Sequence, residues 1–156
     1  MSTTRAPRPR PLREGRERPT NTVVLLREAY LALNDQVLVR LAESGHDQVR
    51  PAHGTVFQHL DDTGTTVSRL AERAQMTKQA MAELVAHLER HGYVERRPDP
   101  DDRRAKLVVP TERGHDVLAI AQGLVPGVEQ QLVDLLGDRR AAQLREDLER
   151  IRRSQA

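Results

Sequence analysis

The segment RRPDPDDRRAKLVVPTERG, residues 96–114, concentrates arginine, lysine and aspartate between two short apolar-bearing runs. A surface turn calls for Pro and Asp, but it has no need of Arg103 and Arg104 set between aspartates and Lys106. Arginine is the side chain favoured in a narrow minor groove, where the negative potential is greatest. A neighbouring carboxylate can hold the guanidinium as a planar fork. The chemistry these residues suit is polyanion recognition, with the aspartates shaping and aiming the basic tip.

Just upstream lies TTVSRLAERAQMTKQAMAELVAHLERHG, residues 65–92. Met81, Leu84, Val85 and Leu88 fall at i, i+3, i+4 and i+7, the stripe of a helix with one buried side. Thr77, Lys78, Gln79, Ala82, Glu83, Ala86, His87 and Arg90 are left for its outer face. Near the N-terminus that face is small and polar, which suits a helix entering a major groove end-on. Gln pairs bidentately with adenine, and Lys reaches guanine or a phosphate.

The surrounding elements must hold these two features in place. With one Phe, two Tyr and no Trp, the core falls to Leu, Val, Ala, Ile and Met, and a mainly α chain of one domain is expected. Residues 1–20 alternate Arg with Pro and bury nothing, so they read as a disordered basic arm, with residues 21–154 as the folded domain. Asn21 or Thr22 caps a helix to about Glu43 that is apolar on more than one side, so it needs more than one partner. Pro51 starts a second helix, ending near Leu60. Thr66 caps a short helix to Ala74, and Thr77 caps the longer one to about His91. Tyr93–Arg97 and Lys106–Val109 form a two-stranded β-wing. Thr111 caps a long helix in which Pro126 predicts a kink or break, and Asp138 caps the last.

The net charge of +2 is not a basic-protein signature, because the arm sets six arginines against two glutamates and the remainder is slightly acidic. No cysteine is present, which excludes disulfides and thiolate chemistry. No apolar run approaches the ~20 residues of a membrane span, so no membrane partner is expected and the location reads as cytoplasmic.

The run from Met76 to Gly114 resembles the MarR (multiple-antibiotic-resistance regulator) family of winged helix-turn-helix transcription factors. The order helix, turn, recognition helix, Gly-aromatic, strand, Asp-Pro wing, strand, Thr-x-x-Gly is highly specific, and the flanking helices match from about Thr22. The resemblance implies the winged helix-turn-helix at about 51–110 and dimerisation helices at about 22–43, 111–136 and 138–153. It makes Arg104 the minor-groove arginine with Asp102 its orienting partner, while Arg103 and Lys106 add phosphate contacts. Ser68 and Thr77 fall where the family touches phosphates, and Lys78, Gln79 and Ala82 where it reads bases. Ala80, Ala82 and Glu83 depart from the Ser, Thr and Arg often found on this helix, and Pro110 from a Leu. The implied function is a homodimeric repressor on a pseudo-palindromic double-stranded DNA operator, with half-sites ~34 Å apart.

The family often binds small aromatic or anionic effectors between the second helix and the dimer helices, and Tyr30, His53 and Phe57 are the candidates here. The histidines read as solvated surface residues, His87 among them on the DNA-facing side. His87 and His91 have zinc spacing but lack the Glu that a metalloprotease sets after its first His, and no metal or cofactor is expected. No phosphate loop or nucleophile elbow supports an enzyme. The rival to a DNA binder is a winged-helix interaction module without DNA binding.

Overall fold

Asn21 opens the first helix by accepting the Val24 N–H at its side-chain oxygen. The computed structural model describes residues 20–154, so the arginine-proline arm lies outside the described residues but for Thr20. Helix α1 runs from Thr22 to Glu43, and a 3-10 turn at Pro51–His53 leads into α2, Gly54–His59. Strand β1, Thr65–Thr66, precedes α3, Val67–Arg73, and α4, Lys78–Arg90. The hairpin β2, Val94–Pro98, and β3, Lys106–Pro110, is followed by α5, Glu112–Leu136, and α6, Asp138–Arg153. The chain is mainly α, and its helix starts follow the capping residues read from sequence.

Three details differ from expectation. The wing belongs to a three-stranded antiparallel sheet of order β1-β3-β2, with Thr65 opposite Val108 and Thr66 opposite Leu107. Two residues are too few to show a strand's alternation, so β1 leaves no trace in the pattern. Helix α5 does not break at Pro126. Pro126 and Gln122, whose carbonyl loses its partner, are both exposed, and α5 packs on α1 and α6. Asp138 is the first residue of α6, and Gly137, at φ 81°, is its cap. A carboxylate in the first turn still complements the helix dipole.

The buried core lies under the sheet and the short helices: Val56, Leu70, Met81, Val85, Leu88, Tyr93 and Val108 are fully enclosed. By contrast α1 buries only Leu41, and α6 buries nothing. The joint between wing and α5 is made by Thr111 and Gly114. The Thr111 hydroxyl donates to the Gly92 carbonyl at 2.6 Å and accepts the Gly114 N–H at 3.2 Å. A Cβ on Gly114 would stand 2.1 Å from the Tyr93 carbonyl oxygen, a backbone atom with no room to turn aside. Gly114→Ala is therefore expected to cost about 3 kcal/mol or more of stability, as overpacking at a rigid contact does. Urea denaturation followed by circular dichroism measures it, and an unchanged midpoint would mean that α5 slides freely on β2.

Candidate nucleic-acid interface

Helices α3 and α4 meet through Ala74, Gln75 and Met76, with Gln75 in the left-handed region at φ 52°. Each helix is capped by a threonine whose oxygen accepts a backbone N–H: Thr66 from Arg69, and Thr77 from Ala80, both at 3.2 Å. The cap uses only the acceptor of Thr77, so its O–H remains able to donate outward. Met81, Val85 and Leu88 pin α4 to the core. Thr77, Lys78, Gln79 and Glu83 are exposed, and Ala82 is half-buried among them. Ser68 is exposed in the first turn of α3.

The wing tip shows what its aspartates do. The Asp99 side chain accepts the Asp101 N–H, and the Asp102 side chain accepts the Arg104 N–H, each at 2.9 Å. The turn is closed by Ala105 N–H donating to the Asp102 carbonyl and Asp99 N–H donating to the Ala105 carbonyl. Asp102 was expected to hold the guanidinium of Arg104. It holds the backbone instead, because an aspartate two residues ahead reaches an amide more readily than a long side chain's end. Arg103, Arg104 and Lys106 are exposed, as is Lys78, and none forms an ion pair among the described residues. The acids thus shape the tip and leave its cations unpaired.

Two features of the site were missed in the sequence. Arg96 on β2 pairs with Glu89 of α4 at 3.2 Å, fixing the wing to the helix. Opposite charges seven residues apart across a helix end were the available signal. Just beyond the same end of α4, Arg113 donates to the Gly45 carbonyl and to the Tyr93 hydroxyl, and lies 4.6 Å over the Tyr93 ring. His46, buried beside Tyr93, bonds Asp116 at 2.7 Å. This cluster locks the end of α1 to the base of the wing and to α5.

The histidines need correction. His46 and His53 are buried, not solvated. His87 does not face outward with Lys78. Its Nε2 bonds the Gln48 carbonyl at 2.9 Å, and its ring stacks on His53. The helical turn carries position 87 round to the side that packs on the Pro51 turn. His53 likewise points to α4 and away from the cavity between α1, α2 and α5. That cavity, about 390 Å³, is lined by Tyr30 and Phe57 together with Asn34, Val37, Arg50 and Gln122.

The family model described as "MarR family" matches residues 47–105, from the Pro51 turn to the wing tip. The transcriptional regulator HosA of Escherichia coli O111:H- is 31% identical over 90 residues, which span 58% of this chain and 67% of HosA. The chain belongs to the MarR family. It is a DNA-binding transcriptional regulator of the winged-helix kind and not an enzyme. Among solved structures, the transcriptional regulator PA4135 is 27% identical, with a TM-score of 0.66 over 87% of this chain and 98% of its own. The S. aureus MepR–DNA complex, at 21% identity, shares the fold with a TM-score of 0.67, covering 87% of this chain and 99% of that one. Among the described residues of this MarR-family chain, no helix is long and apolar enough to cross a membrane.

Proposed function

We propose that this MarR-family regulator is a cytoplasmic repressor that grips a pseudo-palindromic operator as a homodimer and releases it when a small aromatic or anionic effector binds. The observation that carries the DNA grip is the wing tip: its aspartates bind backbone, so Arg103, Arg104 and Lys106 stand exposed beside a helix that presents Lys78 and Gln79. Arg104 enters the minor groove, and Arg103 and Lys106 contact phosphates. Ser68 and the Thr77 hydroxyl donate to phosphates at two helix N-termini. Lys78 and Gln79 read base edges, and half-buried Ala82 leaves room for a base pair to approach. The S. aureus MepR neighbour was solved with DNA, which supports the same use of the fold here.

Dimerisation is supported by what one chain leaves uncovered. Val23, Leu25, Leu26 and Tyr30 on α1, Leu135 on α5 and Ile151 on α6 are all exposed. Apolar area on that scale marks an interface. The folded MarR-type domain is residues 21–154, with the winged helix-turn-helix at about 51–110 and the remaining long helices forming the dimer. The effector site is the cavity that Tyr30 and Phe57 line, where apolar walls meet Asn34, Arg50 and Gln122. A ligand there bears on α1 and α5, the dimer helices, and on the Pro51 turn that packs on α4. A few kcal/mol of preference for one spacing of the reading heads is enough to switch.

Fluorescence anisotropy with the DNA upstream of the protein's own gene, across a salt series, tests this. Lys78, Arg103, Arg104 and Lys106 on each of two protomers give a log–log slope near about −7, or roughly a 10⁴-fold loss between ~50 and ~200 mM salt. Sites selected from a random DNA pool supply the operator if that fragment lacks it. No binding to any selected duplex at low salt, from a folded protein, would replace the DNA grip with a protein-interaction role.

A further inference from the structure

Three histidines line the seam between the Pro51 turn and α4. The His53 and His87 rings stack at 4.4 Å and 20°, and His91 tilts against His87 at 4.5 Å. His53 is only 4% exposed. Its Nδ1 accepts the backbone N–H of Arg50 at 2.9 Å, so that nitrogen must keep its lone pair while the turn is docked. His87 Nε2 meets a carbonyl, that of Gln48, and therefore carries a hydrogen. The charged or titratable neighbours acting on His53 are His87 from α4, His91 at the C-cap of α4 and Arg50 from the approach to the turn. Helices α1 and α2 also pack against the turn and bring no charge that acts on this ring. Burial above all, then His87, Arg50 and His91, push His53 down from 6.5 to about 4.

We propose that His53 makes docking of the Pro51 turn on α4 proton-linked, so that acidification releases the turn, loosens the recognition helix and weakens DNA binding. The consequence for DNA rests on the function proposed above; the latch itself does not. In the docked state His53 excludes a proton that it accepts once released. Docking is thus fully favoured above 6.5 and is lost as pH falls from 6.5 towards about 4. From pH about 7.5 to about 5.5 the released form gains about tenfold over the docked one. Arg50 and Pro51 also wall the cavity between α1 and α5, so the same release disturbs the proposed effector site.

The test follows hydrogen exchange at the Arg50 amide, corrected for its intrinsic rate, and DNA affinity at fixed salt, at both pH values. Three proteins suffice: the wild type, His53→Gln and His87→Gln, with circular dichroism to check each fold. In the wild type, the tenfold shift on acidification divides between the readouts: the fall in Arg50 protection multiplied by the fall in affinity comes to about ten, about threefold each where about a quarter of the turn is already released at the higher pH. In His53→Gln the amide oxygen still accepts the Arg50 N–H but does not titrate, so both readouts stay flat. In His87→Gln the donor to Gln48 survives and His53 remains buried, so the response persists. A response that survives in His53→Gln, or vanishes in His87→Gln, overturns the assignment to His53. Falling protection with constant affinity overturns the weakening of DNA binding. A protein that binds no DNA at either pH sinks the function reading, while Arg50 exchange still decides the latch.

Discussion

Arg104→Ala is expected to weaken operator binding by between about 30-fold and 10⁴-fold, with no change in thermal stability. Each lost groove contact costs ~1–3 kcal/mol, and a two-fold dimer loses two, giving ~2–6 kcal/mol. Stability should hold because Arg104 is exposed and its one fixed bond among the described residues is through its backbone N–H, which alanine keeps. The role of Asp102 is tested beside it. The structure has Asp102 accepting the Arg104 N–H, so Asp102→Asn, which keeps an acceptor oxygen, should bind nearly as well as wild type. Asp102→Ala removes the acceptor, frees the tip, and should fall between wild type and Arg104→Ala. If Asn and Ala at position 102 are equally damaging, the carboxylate's charge aims the guanidinium after all. Anisotropy titrations of all four proteins at one salt concentration decide between these, and full affinity in Arg104→Ala would remove the wing from the DNA.

The parts of this molecule that were legible in the sequence are those set by local rules. Thr66, Thr77 and Thr111 announce helix starts because a hydroxyl accepting an N–H two or three residues on is a purely local bond. The stripe at Met81, Leu84, Val85 and Leu88 places α4 for the same reason. What stayed hidden depends on contacts between distant segments. Strand β1 exists because Thr65 and Thr66 lie beside β3, some forty residues away, and not because two threonines prefer to be extended. His87 looked outward on a helical wheel, yet the Gln48 carbonyl and His53 ring meet it from another part of the chain. Asp102 was assigned to the right neighbour but the wrong group, since spacing alone does not separate a backbone partner from a side-chain one.

Gly114 is the case where a motif is intelligible only with the structure in hand. In sequence, Thr-x-x-Gly reads as a cap followed by a poor helix former. In space, the glycine lets the first turn of α5 lie against the Tyr93 carbonyl, and Thr111 ties the same turn to Gly92. Arg113, between them, reaches Gly45 and Tyr93. The segment therefore welds the winged unit to α5, which the proposed function makes a dimer helix. A movement of α5 carries the wing with it, and the proposed effector control needs that rigidity.

Leu148→Glu combined with Ile151→Glu is expected to yield a folded monomer that binds operator DNA about 10²- to 10⁴-fold more weakly. Both side chains lie exposed on α6, 41% and 54%, and neither belongs to the buried core around α3, α4 and the sheet. The winged unit should therefore survive, with an unchanged helical signal. In a dimer these positions are covered, and two carboxylates on each chain, four at the interface, would have to lose water without partners. A monomer meets one half-site only. The second head then no longer binds as a tethered neighbour at high effective concentration, which forfeits on the order of 10²–10⁴ in affinity. Sedimentation equilibrium across a concentration series measures the mass, and anisotropy on the same samples measures the affinity. Loss of the dimer with DNA affinity intact would mean that one head suffices and the operator need not be a pseudo-palindrome. A dimer that persists with both glutamates in place would move the interface from α6 to the apolar faces of α1 and α5, where Leu25 and Leu135 are the next positions to charge.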